Sequence, residues 1–118
     1  MNSVAARAMG QYKQVGTQVS ADAADPHQLI VMLFDGALER IAIAKGAIER
    51  HDIEEKGQKI GRAIAIIDGL RASLNKELGG DLADNLDNLY DYMQRRLFHA
   101  NLNSDIDALD EVAGLIKE

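Results

Sequence analysis

A chain of 118 residues is expected to form one domain, with room for a hydrophobic core that needs no disulfide or metal staple. Apolar residues make up 47% and aromatics only 4%, which argues against disorder and leaves Leu, Ile, Val, Ala and Met to fill the interior, a mix suited to helix-on-helix packing. A formal net charge of −6 disfavours nucleic acid and anionic membrane as partners, and the absence of cysteine excludes disulfides and thiolate metal sites.

Residues 1–24 are mostly small and polar, with Val4, Met9, Tyr12, Val15 and Val19 scattered among them. They are expected to form a leader segment or a short helix around Ser3 to Tyr12, partly mobile or packed on the remainder, and residues 25–118 the domain proper. No apolar signal segment is seen at the start, and the longest apolar run, Leu29 to Phe34, is far too short to cross a bilayer. A cytoplasmic location is expected.

From Pro26 to about His51, Ile30, Phe34, Ala37, Ile41, Ala44 and Ile48 recur at alternating steps of four and three, which is one helical face. Asp25 suits its N-cap, Pro26 the first helical position and Gln28 the reciprocal partner of a capping box. Leu29, Leu33 and Leu38 widen the stripe, so this helix is expected to make contact on more than one side. Asp52 can cap a second helix with the stripe Ile60, Ile64, Ile67, Leu70, Leu74 and Leu78, stopped by Gly79-Gly80. Asp81 then starts a third stripe of Leu82, Leu86, Leu89, Met93 and Leu97. A polar break over 101–105, with Ser104 as N-cap, leads to a fourth stripe of Ile106, Leu109, Val112 or Ala113, and Ile116. Short connections between four such helices predict an all-α, antiparallel up-down four-helix bundle.

Chemistry is hard to place on this chain. None of His27, His51 or His99 has a glutamate three positions earlier, so the di-iron carboxylate pattern is missing, as is His-Glu-x-x-His. Gly79-Gly80 lacks the Lys-Ser/Thr of a phosphate loop. Asp81, Asp84, Asp87 and Asp91 step along a helix as a solvated face would, and Asp91 stands four residues before Arg95, a surface pair. No enzyme, cofactor, metal or small-molecule substrate is expected. The alternative from another class is a histidine phosphotransfer bundle using His51 or His99, and a third is a structural oligomer built through the leader.

What remains is an interaction module, one kind of which lays an amphipathic helix in a groove. Gly36 and Gly46 in the first helix and Gly57, Gly61 and Gly69 in the second either let helices pack closely or open shallow channels for a guest. Met32 and Met93 add adaptable apolar surface, as core or as contact. Tyr90 and Tyr92 cannot share a face, and Tyr92 is placed to stack on Arg96.

The run Asp25-Pro26-His27-Gln28-Leu29-Ile30-Val31-Met32-Leu33-Phe34-Asp35-Gly36-Ala37-Leu38 resembles the FliS family of flagellar export chaperones for flagellin. So does Leu89-Tyr90-Asp91-Tyr92-Met93-Gln94-Arg95-Arg96-Leu97, followed by Ala100-Asn101 and Asn103, in the same order along the chain. The resemblance extends from Gln11-Tyr12 to Glu111-Val112-Ala113-Gly114-Leu115. It implies an antiparallel helical bundle that binds the disordered C-terminal segment of flagellin in the cytoplasm, prevents its premature polymerisation and helps deliver it to a component of the flagellar export apparatus. Tyr12 matches the family's leader tyrosine, and Phe34 stands where tyrosine is common in the first signature. Relatives usually carry the last helix further, with an aromatic-containing turn, whereas this sequence ends at Glu118. The residues expected to contact the partner are Tyr12, Val15, Leu29, Met32, Leu33, Gly36, Tyr90, Tyr92, Met93 and Arg96. The leader around Tyr12 is expected to occupy one groove when no guest is bound.

Overall fold

Asp25 opens the first helix, α1 (Pro26–Glu49), in the computed structural model, which describes residues 25–118. Its carboxylate accepts the Gln28 N–H at 2.7 Å, and the Gln28 side-chain carbonyl accepts the Asp25 N–H at 3.2 Å. This is the expected capping box, with Pro26 at the first helical position. α1 ends in a Schellman turn, in which the Asp52 N–H reaches the Ala47 carbonyl at 2.8 Å and the His51 N–H reaches Ile48 at 3.1 Å. His51 takes the left-handed position of that turn, with φ 59°. Asp52 then caps α2 (Ile53–Ala72) by accepting the Glu55 N–H at 3.1 Å, as expected.

The expected continuation of α2 through Leu74 and Leu78 to Gly79-Gly80 does not form. α2 stops at Ala72, because Asn75 accepts the Leu78 N–H at 3.1 Å and caps a new helix there. α3 (Lys76–Asn103) therefore contains the glycine pair, and Gly80 breaks it at φ 51° and ψ −127°, a conformation open to glycine alone. Regular helix resumes at Asp81, the residue expected to start it. The third stripe holds at Met93 and Leu97, which are buried, and not at its leading leucine. Leu82 is exposed and Leu86 and Leu89 half-buried, while Ala83, Tyr90, Met93, Gln94, Leu97 and Ala100 face the interior. α3 packs on two neighbours at once, so its most buried line falls between the two contacts rather than on the run of leucines. Ser104 is not an N-cap. It is the left-handed residue that ends α3, at φ 50°, and Asp105 caps α4 (Ile106–Lys117) by accepting the Ala108 N–H at 3.2 Å.

Consecutive helices joined by two or three residues run antiparallel, and they form a square. α1 packs on α2 and α4, α3 packs on the same two, and the diagonal pairs approach only through side chains in the core. The architecture is the expected up-down bundle. Small residues dominate the buried face of α1 (Gly36, Ala37, Ala44 and Ala47), and α1 with α2 makes the most extensive seam. Ile60, Ile67, Met93, Leu97, Leu109 and Val112 are the largest fully enclosed side chains. Burying each contributes about 1.5–3 kcal/mol.

Polar clasps bridge three of the seams from outside. Arg71 of α2 pairs with Asp87, donates to Asp91 and to the Gln94 carbonyl oxygen at 3.1 Å each, and Gln94 donates back to the Ile64 carbonyl. Glu111 of α4 accepts from the Tyr92 hydroxyl at 2.6 Å and from Arg96 at 2.7 Å, both on α3. Lys45 reaches Asp110 at 3.1 Å, joining α1 to α4. Hydrogen bonds from Arg71 and then Lys76 hold the Asp87 carboxyl below its ordinary value, and those from Tyr92 and then Arg96 do the same for Glu111. A carboxylate depressed by folding stabilises the fold above its unfolded value, and that contribution is lost as pH falls through the folded one.

The urea midpoint is therefore expected to hold steady from neutral pH down to the ordinary carboxylate range, roughly pH 4, and to fall below it. Arg71→Met should lower the midpoint at pH 7 and flatten the acid limb. In the same assay, Gly80→Ala is expected to cost about 1–3 kcal/mol, while His51→Gly, which relieves a left-handed side chain, should gain about 0.5–1 kcal/mol.

Candidate partner-binding surface

Four residues expected at the partner surface lie inside the bundle. Leu33, Gly36, Tyr90 and Met93 are buried, and the Tyr90 ring packs against Phe34 with centroids 6.4 Å apart. Burial also raises the Tyr90 hydroxyl above its ordinary value. Leu29, Met32 and Arg96 are half-buried and Tyr92 is exposed, so these four retain surface. Tyr12 and Val15 lie outside the described residues. The expected Tyr92–Arg96 stack is replaced by another arrangement, because Arg96 is drawn to Glu111 and it is Arg95 that sits 6.0 Å from the Tyr92 ring centre. The expected Asp91–Arg95 pair is present at 3.0 Å.

The apolar surface that does exist gathers at the two ends of the square. At the end where α1 begins, Ile30 and Val31 are exposed, and a pocket of about 320 Å³ is lined by Val31, Met32, His27 and Gln28. α3 begins at this same end and carries Leu78, 87% exposed, and Leu82 on either side of the Gly80 break. At the other end, Phe98 and Leu102 stand four residues apart on α3, one above the other, at 60% and 84% exposure.

Phe98 lies four and seven residues beyond Gln94 and Asp91, the residues that meet Arg71 of α2, so it flanks the α2–α3 seam. The opposing stretch of α2 carries Gly57 and Gly61. A Cβ on Gly57 would sit 3.9 Å from the Asn101 side chain, whereas one on Gly61 would meet nothing within 4 Å. The α2–α3 flank thus pairs side-chain-free positions on α2 with two large exposed apolar side chains on α3. Gly36 and Gly69, by contrast, are buried and serve close packing.

Sequence reasoning missed Phe98, Leu102, Leu78 and Ile53 as surface. For Phe98 and Leu102 a signal was present, since both are apolar, four apart and off the predicted α3 stripe. Leu78 carried none, because the Asn75 cap that displaces it competes with an equally regular helical spacing.

Histidine chemistry finds no support in these positions. His51 lies in the α1–α2 connection, and both ring nitrogens of His99 are engaged, Nε2 with Asp105 at 3.0 Å and Nδ1 with Asn103 at 3.2 Å. Among the described residues no group of three His, Asp or Glu is placed to hold a metal ion, and no helix is long and apolar enough to cross a membrane.

Comparison with known proteins agrees with the geometry. The family model described as flagellar protein FliS matches residues 8–118. The chain is 53% identical over 114 residues to the flagellar secretion chaperone FliSB of Pseudomonas aeruginosa, covering 97% of this chain and 90% of that one. It is 49% identical over 106 residues to flagellar secretion chaperone FliS of Salmonella typhimurium, covering 89% and 78%. With FliS of Bacillus subtilis it shares 38% identity over 101 residues, covering 86% and 74%. These relatives are named as secretion chaperones and not as enzymes. A square antiparallel bundle with apolar side chains left on its outer flanks, matched by that family over nearly its full length, belongs to the FliS family of flagellar proteins.

Proposed function

We propose that this protein is the cytoplasmic chaperone of a flagellin, binding the disordered C-terminal segment of its client, holding it unpolymerised and presenting it to a component of the flagellar export apparatus. The observation that carries the reading is the α2–α3 flank, where Phe98 and Leu102 stay in water beside the open position at Gly61. Filament subunits that associate through amphipathic helices need those helices covered until export. A bundle with uncovered apolar flank supplies the cover. Ordering such a client costs roughly 2–5 kcal/mol or more, which only extensive apolar burial offsets. A client wrapped over both ends of the bundle, touching Leu29, Val31, Met32 and Tyr92 as well as the Phe98–Leu102 flank, meets that requirement better than one held at a single pocket. Residues 1–24, with Tyr12 and Val15, act in this reading as a competitor for one groove.

Titrating the full chain with a peptide from the flagellin C-terminus should release or absorb heat and raise the helical circular-dichroism signal. Absence of both at high micromolar concentrations overturns the reading. Phe98→Ser with Leu102→Ser should leave the melting temperature nearly unchanged and weaken binding at least about tenfold. Gly61→Ala separates stability from function: it should stabilise the fold by about 0.5–1 kcal/mol and still weaken binding by filling that position. Removing residues 1–20 should tighten binding, and equal or weaker affinity would count against competition by the leader.

A further inference from the structure

Where the α1–α2 and α3–α4 connections meet, a pocket of about 340 Å³ opens, and Lys56 and Ser104 line it. Lys56 is only 8% exposed, yet it is a charged residue in the first turns of α2. Its ammonium donates to Ser104 Oγ at 2.9 Å and is in no ion pair among the described residues. Two of its N–H bonds therefore have no protein partner among the described residues, and a lysine enclosed this far with its ammonium facing a pocket is placed to take an anion. Ala47, Ile48 and Ile53 supply an aliphatic wall, beside His51 and Asp52. Among the described residues, both non-glycine positions with left-handed backbone, His51 and Ser104, also line it, so the two chain reversals border this space.

We propose that the Lys56 pocket is a carboxylate-binding site that takes the C-terminal end of a polypeptide whose last side chain is aliphatic. A chain end carries its carboxylate and its last side chain on one carbon, so a single residue meets both the ammonium and the aliphatic walls. A glutamate side chain offers the charge without the second contact. Asp52, which caps α2 by accepting the Glu55 N–H, also lines the pocket, and its negative charge weighs more heavily against a dianion such as phosphate than against a single carboxylate. The site is separate from the Phe98–Leu102 flank and does not depend on which client occupies that flank.

The test uses the full chain with ¹³C-labelled isoleucine methyls and follows Ile48 and Ile53. N-acetyl-Ala-Ala-Leu with a free carboxylate should shift both methyls to saturation. Its C-terminal amide, N-acetyl-Ala-Glu-Ala-amide and inorganic phosphate should each bind about tenfold or more weaker, the worth of one charge-assisted hydrogen bond or more. Lys56→Met should weaken the free acid by a similar factor. Equal binding of acid and amide, equal binding of either control anion, shifts confined to other isoleucines, or an unchanged Lys56→Met affinity each overturns the proposal. The acid–amide comparison needs no variant, so it stands even where Lys56→Met fails to fold.

Discussion

Each helix of a square bundle has two neighbours, so the interior can take only the arc of its surface that lies between them. That limit governs what the rest of the molecule can do. On α1 it accounts for the run of small residues at Gly36, Ala37, Ala44 and Ala47, which brings α2 close. On α3 the arc is centred on the line through Ala83, Tyr90 and Leu97, and the chain carries more apolar residues than that arc accepts. Phe98 and Leu102 are the surplus at one end, and Leu78 and Leu82 at the other.

Polar clasps keep this surplus from being recruited inward. Arg71 with Asp87, Asp91 and Gln94 holds the α2–α3 seam, and Glu111 with Tyr92 and Arg96 holds α3 against α4. These groups form directional bonds at fixed positions, so they set the rotation of α3 about its own axis. Leu82 and Phe98 each stand one residue, about 100°, from the buried line, so carrying either inward would take a large turn of the helix at the cost of the hydrogen bonds on both sides. The clasps thus hold open the flank that the proposed client covers.

The two ends of the bundle differ in kind. One end is broken by a glycine in α3 and leaves Leu78 on a short capped turn. At the other, two helices close on left-handed residues that are not glycine, and a lysine is enclosed beside an apolar pocket. Left-handed backbone at residues with a Cβ costs about 1–2 kcal/mol each. Strain and surplus apolar surface together mark the places where this fold departs from its own local optimum.

Much of this was legible in residue order. The capping box at Asp25 and Gln28, the Asp52 cap, the restart at Asp81 and the count and type of helices depend on neighbours within a turn, which a sequence displays directly. The family signatures likewise rest on residues in fixed order. What the sequence left undecided were the competitions and the rotations. Asn75 against the continuing stripe, and Ser104 as helix end against helix start, are contests between local options of similar energy, and the packing partner settles them. Which of Leu33, Tyr90, Met93, Phe98 and Leu102 face inward depends on where the two neighbours of each helix lie. Periodicity defines a helical face, but only tertiary contact selects the direction in which that face points.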